Sequence, residues 1–136
     1  MTDQLSAELH QRPVSSTHPR SSCQARDIAR DYLSALRPPA TPETVDNVLL
    51  VVSELVTNAY RHAGGLSCFR VSGSAGSVHV QVTDPSPLLP RSRSIGPETD
   101  LERGGGFGWP LVHHLAHEVT VRREPHGGKT IEVFIR

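Results

Sequence analysis

Three short segments hold residue types able to do chemistry on a charged ligand. Glu54 and Asn58 stand four apart in a stretch that reads as helix, so both project from one side of it. They flank an apolar stripe rather than belong to it, beside His62, at the seam where a helix meets a pocket. An isolated Glu-x-x-x-Asn usually marks a solvated face; asparagine is an indifferent helix former, and its mid-helix place suggests a task. Asp84 closes a strand and opens a long loop. A carboxylate there can accept from a ligand amino group, or it can start a turn with the Asp84-Pro85-Ser86-Pro87 run. In the third segment, Arg103-Gly104-Gly105-Gly106-Phe107-Gly108, glycines lead straight into an apolar helix start. Such a run lets backbone amides approach phosphates at the positive end of a helix, and Pro110 suits that helix's first turn.

These residues need a frame, and apolar periodicity supplies it. From Ser22, the residues Ala25, Ile28, Ala29, Tyr32, Leu33 and Leu36 recur at helical steps until Pro38-Pro39 stops them. A second helix has Thr41 as cap, Pro42 at its first position and Glu43 at the positive end of its dipole. Its stripe is Val45, Val48, Leu49, Val52, Leu55, Val56, Ala59 and Tyr60, and Gly64-Gly65 ends it. Residues 66–72 and 77–83 read as strands around a turn at 73–76, with Val78, Val80 and Val82 alternating inward. Residues 84–106 lose periodicity and form a long loop, of the kind that is usually functional. A short helix (108–117) and strands at 118–124 and 129–136 follow, with Ile131, Val133 and Ile135 facing inward. This order predicts an α+β two-layer sandwich: a mixed, mostly antiparallel sheet with helices on one face. Residues 1–20 read as a loosely ordered arm able to add one edge strand, and residues 21–136 as the single domain.

Taken in order, the segments resemble the GHKL ATP-binding superfamily, in its anti-sigma-factor serine kinase branch. Ser53-Glu54-Leu55-Val56-Thr57-Asn58-Ala59 looks like the N box, and Asp84-Pro85-Ser86-Pro87 like a first glycine-box variant. Gly106-Phe107-Gly108 with Leu111-Val112 resembles the second box, and Gly128-Lys129-Thr130 the closing strand. Phe107 stands where the branch usually has Arg or Met, and Trp109-Pro110 replaces small aliphatics. The resemblance implies the Bergerat ATP-binding fold, with ATP and Mg2+ as cofactors. It implies that Asn58 ligates magnesium and that Glu54 is the general base taking a proton from a serine hydroxyl. Asp84 would accept from the adenine amino group, with Thr130 supporting the same end. Gly104, Gly105, Gly106 and Gly108 would wrap the phosphates, with Arg103 neutralising their charge and His62 beside them. The implied function is an anti-sigma factor that sequesters a sigma factor and phosphorylates a serine on an anti-sigma antagonist, with homodimerisation. The alternative is a regulatory module that binds ATP without transferring phosphate.

Bulk properties narrow the remaining classes. Lys plus Arg number 14 and Asp plus Glu number 14, so no basic surface of the kind general nucleic-acid binding requires is expected. No apolar run approaches the ~20 residues of a membrane span, and the amino terminus lacks a signal-peptide core, so a cytoplasmic location is expected. Cys23 and Cys68 have neither metal-site nor redox-pair spacing and read as free thiols. His113, His114 and His117 lack a companion ligand and read as a solvated helix face. Arg91, Arg93 and Arg103 read equally as a solvated charge run or as contacts for phosphates and an acidic partner. Ser86 lacks the strand-turn-helix elbow of a hydrolase nucleophile.

Overall fold

Ser21 opens the first helix by accepting from the Gln24 amide at 3.1 Å, which satisfies one of the orphan donors at a helix start. Helix α1 (Ser22–Ala35) buries Ala25, Ala29 and Leu33 completely and ends before Pro38-Pro39. Helix α2 (Pro42–Ala63) is capped by Thr41, whose side chain accepts from the Thr44 amide, with Pro42 in the first turn as expected. It ends at Gly64, whose φ of 74° is the left-handed conformation that glycine adopts without a Cβ penalty. In this computed structural model, residues 18–74, 76–90 and 108–136 are described. The arm over residues 1–17, with its expected edge strand, and most of the glycine-rich segment lie outside them.

The buried stripe of α2 is Val48, Val51, Val52, Leu55, Val56 and Ala59. Val51 joins the expected set, whereas Tyr60 stands 39% exposed. The Tyr60 hydroxyl donates to the Pro19 carbonyl at 2.5 Å, so this residue ties down the chain ahead of α1 instead of filling the core.

Strands β1 (Cys68–Ser74) and β2 (Ser77–Asp84) form a tighter hairpin than the expected four-residue turn, because pairing continues to Ser74 opposite Ser77. After helix α3 (Gly108–Leu115) come β3 (Glu118–Arg123) and β4 (Lys129–Ile135). The strand order is β1-β2-β4-β3, and all three pairings are antiparallel. The strand pleat sends alternate side chains to opposite faces. Phe69, Val71, Val78, Val80, Val82, Ile131, Val133 and Ile135 therefore face the helices and are buried. Each such valine, leucine or phenylalanine contributes about 1.5–3 kcal/mol. Helix α2 contacts β2 and β4 and packs against both α1 and α3, while α1 also touches β1. The architecture is α+β, a four-stranded antiparallel sheet with helices on one face, as the sequence predicts.

Candidate functional site

Helix α2 is the central element of the helical layer, and it places Glu54 and Asn58 one turn apart on its half-buried side. Among the described residues, neither side chain has a hydrogen-bond partner. Two polar groups held at the same seam without partners can receive a ligand, since partly buried donors and acceptors otherwise find a mate within the protein. Burial raises the Glu54 pKa above its ordinary value of 4.5, and the charge of Arg61 partly offsets that rise. A carboxylate adjusted upward in this way is a better proton acceptor near neutral pH.

Gly108, the first residue of α3, is buried against Glu54. A Cβ built there would meet Glu54 Oε2, so any larger residue at the start of α3 would push that carboxylate aside. The fold thus brings the end of the glycine-rich segment to the carboxylate on α2. Arg103, Gly104, Gly105 and Gly106 lie outside the described residues. His62 is exposed in the last turn of α2, where with Arg61 it complements the negative end of the helix dipole.

Asp84 ends β2 on the helix-facing side and is 3% exposed. Its Oδ1 accepts from the Ser86 amide at 2.9 Å, the local bond of a turn-starting aspartate. Both carboxylate oxygens also lie 2.9 Å from Lys129 Nζ, and Lys129 is itself 5% exposed. The ammonium further donates to the Ser86 carbonyl at 3.3 Å. Lys129 was absent from the candidate residues read off the sequence. Its signal was nevertheless present, because with Ile131, Val133 and Ile135 facing inward, residue 129 must face inward as well.

The same parity turns Thr130 away from Asp84. It pairs with Thr83 across the sheet, and their hydroxyl oxygens lie 2.7 Å apart on the outer face. Thr130 Oγ1 donates to Glu124 Oε1 at 2.6 Å. A ligand that reached the Asp84 carboxylate would therefore meet Lys129, and the Thr130 hydroxyl would be across the sheet. Gly128 completes this corner. A Cβ on it would collide with the Asp84 carbonyl oxygen, so a glycine is needed where the β3–β4 connection crosses the end of β2.

No group of three or more histidine, cysteine or carboxylate side chains among the described residues could hold a metal ion. His113 and His114 are exposed, and His113 packs edge-on against Trp109 with centroids 4.6 Å apart. Neither Cys23 nor Cys68 is in a disulfide. No helix among the described residues is long and apolar enough to cross a membrane. The Asn58 side-chain oxygen suits magnesium, which takes few protein oxygens and fills its remaining positions with water and substrate phosphates.

Comparison with curated proteins returns no significant match. Among solved structures, the chain resembles one described as the SiaB-SiaC complex from Pseudomonas aeruginosa. The TM-score is 0.56 at 16% identity, over 99% of this chain and 96% of that one, a likeness of fold. The profile of the histidine kinase-like ATPase domain matches residues 16–134, which takes in α1, α2, the whole sheet and the corner where Glu54 meets Gly108. With the α+β layering and this match over most of its length, the chain belongs to the histidine kinase-like ATPase domain family.

Proposed function

We propose that the protein binds ATP with magnesium and acts as an anti-sigma factor and protein serine kinase. In this reading it sequesters a sigma factor and phosphorylates a serine of an anti-sigma antagonist, working in the cytoplasm as a homodimer. The observation that carries the reading is the Glu54–Asn58 pair, without hydrogen-bond partners among the described residues, with Glu54 lying against the glycine start of α3. Bound MgATP supplies the electrophilic γ-phosphorus and a leaving group whose charge the metal neutralises. Asn58 would hold the cation through its amide oxygen. Glu54 accepts the proton of the attacking serine as the new O–P bond forms and the bond to the departing ADP breaks. In this reading the amides of Gly104, Gly105, Gly106 and Gly108, with Arg103, would receive the phosphates. The solved neighbour is a complex of SiaB with SiaC, which supports a protein rather than a nucleic acid as partner.

A second reading is favoured by a specific observation. Phe107, in the glycine segment, and Pro110, just after it, stand where the branch usually has Arg or Met and a small aliphatic residue, which fits a regulatory module that binds nucleotide for conformation and transfers no phosphate. Calorimetric titration with ATP, with and without magnesium, tests both readings. Magnesium-dependent binding that Asn58→Ala weakens by about tenfold or more (about 1.4 kcal/mol) supports the site, and unchanged affinity overturns the assignment of Asn58. Incubation with candidate antagonists then separates the readings. Phosphoserine formed by wild type and lost in Glu54→Ala, which still binds ATP, identifies the kinase. Binding without phosphoserine for any antagonist identifies the module.

A further inference from the structure

The outer face of the sheet, opposite the helices and away from Glu54 and Asn58, bears a cavity of about 470 Å³. That volume lies within the range of small-molecule pockets. Strand register builds it from one cross-sheet row, Cys68, Thr83, Thr130 and Arg122, and from Arg70 and Gln81 of the next. The connection after β3 adds Glu124 and His126.

Among the described residues, the carboxylates at the cavity have partners, whereas one arginine at its wall has none. Arg122 donates to Glu124 Oε1 at 3.3 Å and to Glu132 Oε2 at 3.2 Å, so one guanidinium serves two carboxylates. Glu132 also accepts from Gln81 Nε2 at 2.6 Å. Glu124 accepts from Thr130, and that hydrogen bond, with Arg122 adding to it, holds its carboxyl below the usual range. Asp84, at the end of the cavity, turns its carboxylate to the helix-facing side, where Lys129 neutralises it. Arg70, exposed on β1 at the cavity wall, has no ion pair or hydrogen-bond partner among the described residues.

The hydroxyls of the floor have a fixed direction. Thr130 has one proton and spends it on Glu124, so the Thr83 hydroxyl must donate to Thr130. Thr83 Oγ1 then presents only lone pairs to the cavity. The pocket offers a guanidinium fork with five donors at one wall and an acceptor on its floor.

We propose that this cavity is a second binding site, for a small hydroxylated organic anion whose carboxylate or phosphate group docks on Arg70 and whose hydroxyl donates to Thr83. The proposed contacts, Arg70 and Thr83, are not used by the nucleotide reading, although Asp84 and Thr130 of that reading also border the cavity.

The test uses the full ¹⁵N-labelled chain titrated with two probes, L-tartrate for the carboxylate class and glycerol 3-phosphate for the phosphate-ester class. The expected result is saturable shifts of the Arg70 side-chain and Thr83 and Gly128 amide signals, with a Kd of about 1 mM or tighter for at least one probe. Response to one probe identifies its class, and response to both identifies the shared anion chemistry. Arg70→Gln should weaken binding by about tenfold, the loss of a charge-assisted fork, and Arg70→Lys should restore part of it. Because Arg70 is exposed, the variant keeps its fold, which its spectral dispersion verifies. Shifts that never saturate for either probe, or that persist unchanged in Arg70→Gln, overturn the proposal.

Discussion

Lys129 and Asp84 form a buried ion pair. Removing one partner leaves an uncompensated buried ion, which typically costs about 3–5 kcal/mol, whereas apolar replacement of both is often near neutral. Lys129→Met should therefore lower the urea midpoint by an amount corresponding to about 3 kcal/mol. The double variant Asp84→Leu/Lys129→Met should recover most of that loss, and equal destabilisation of the two would show that the ion pair does not set the cost. Thr130, expected beside Asp84, serves instead as the middle of a hydroxyl relay from Thr83 to Glu124. A one-residue step along a strand reverses the face.

At the scale of elements, two glycines mark where one segment crosses another, and the obstacle differs. At Gly128 an added methyl would meet the Asp84 backbone carbonyl, which cannot turn away. Gly128→Ala should destabilise by about 1–3 kcal/mol, as overpacking does. At Gly108 it would meet the far end of the Glu54 side chain, which can swing aside. Gly108→Ala should stay within about 1 kcal/mol of wild type in urea yet displace the Glu54 carboxylate, so any phosphoryl transfer should fall well beyond that stability change. A variant stable and fully active would separate Glu54 position from function. The helix caps were legible because they are local: Ser and Thr caps, Pro42 and Gly64 act on amides and carbonyls within about one turn. Thr41→Ala should cost about 1 kcal/mol in urea unfolding.

For the whole molecule, two groups tie stability to pH in opposite directions. Burial raises the Glu54 pKa, so the folded state holds that proton more tightly than the unfolded chain. Its contribution is fully present below about pH 4.5, the ordinary value, and is lost as pH rises through the raised folded value. Burial lowers the His79 pKa below 6.5, opposed by Glu132, while its ring stacks on Phe134 with centroids 4.2 Å apart. The His79 contribution is present above pH 6.5 and is lost as pH falls through the lowered folded value. Urea unfolding across pH should show the loss below pH 6.5 flatten in His79→Asn, and the loss above pH 4.5 flatten in Glu54→Gln. Unchanged slopes in either variant would assign that pH dependence elsewhere.

The sequence by itself determined the helices and their caps, the inward valines of the sheet, the α+β layering and the family's ordered segments. Each of these rests on interactions between residues within a few positions, or on a period that repeats along one element. Tertiary structure alone decided that Lys129 meets Asp84 from 45 residues away, that Gly108 closes on Glu54, and that Arg70 and Arg122 frame a cavity from opposite edges of the sheet. Those contacts depend on strand order and register, which are set by the collective burial of the whole apolar face and not by any short stretch of chain.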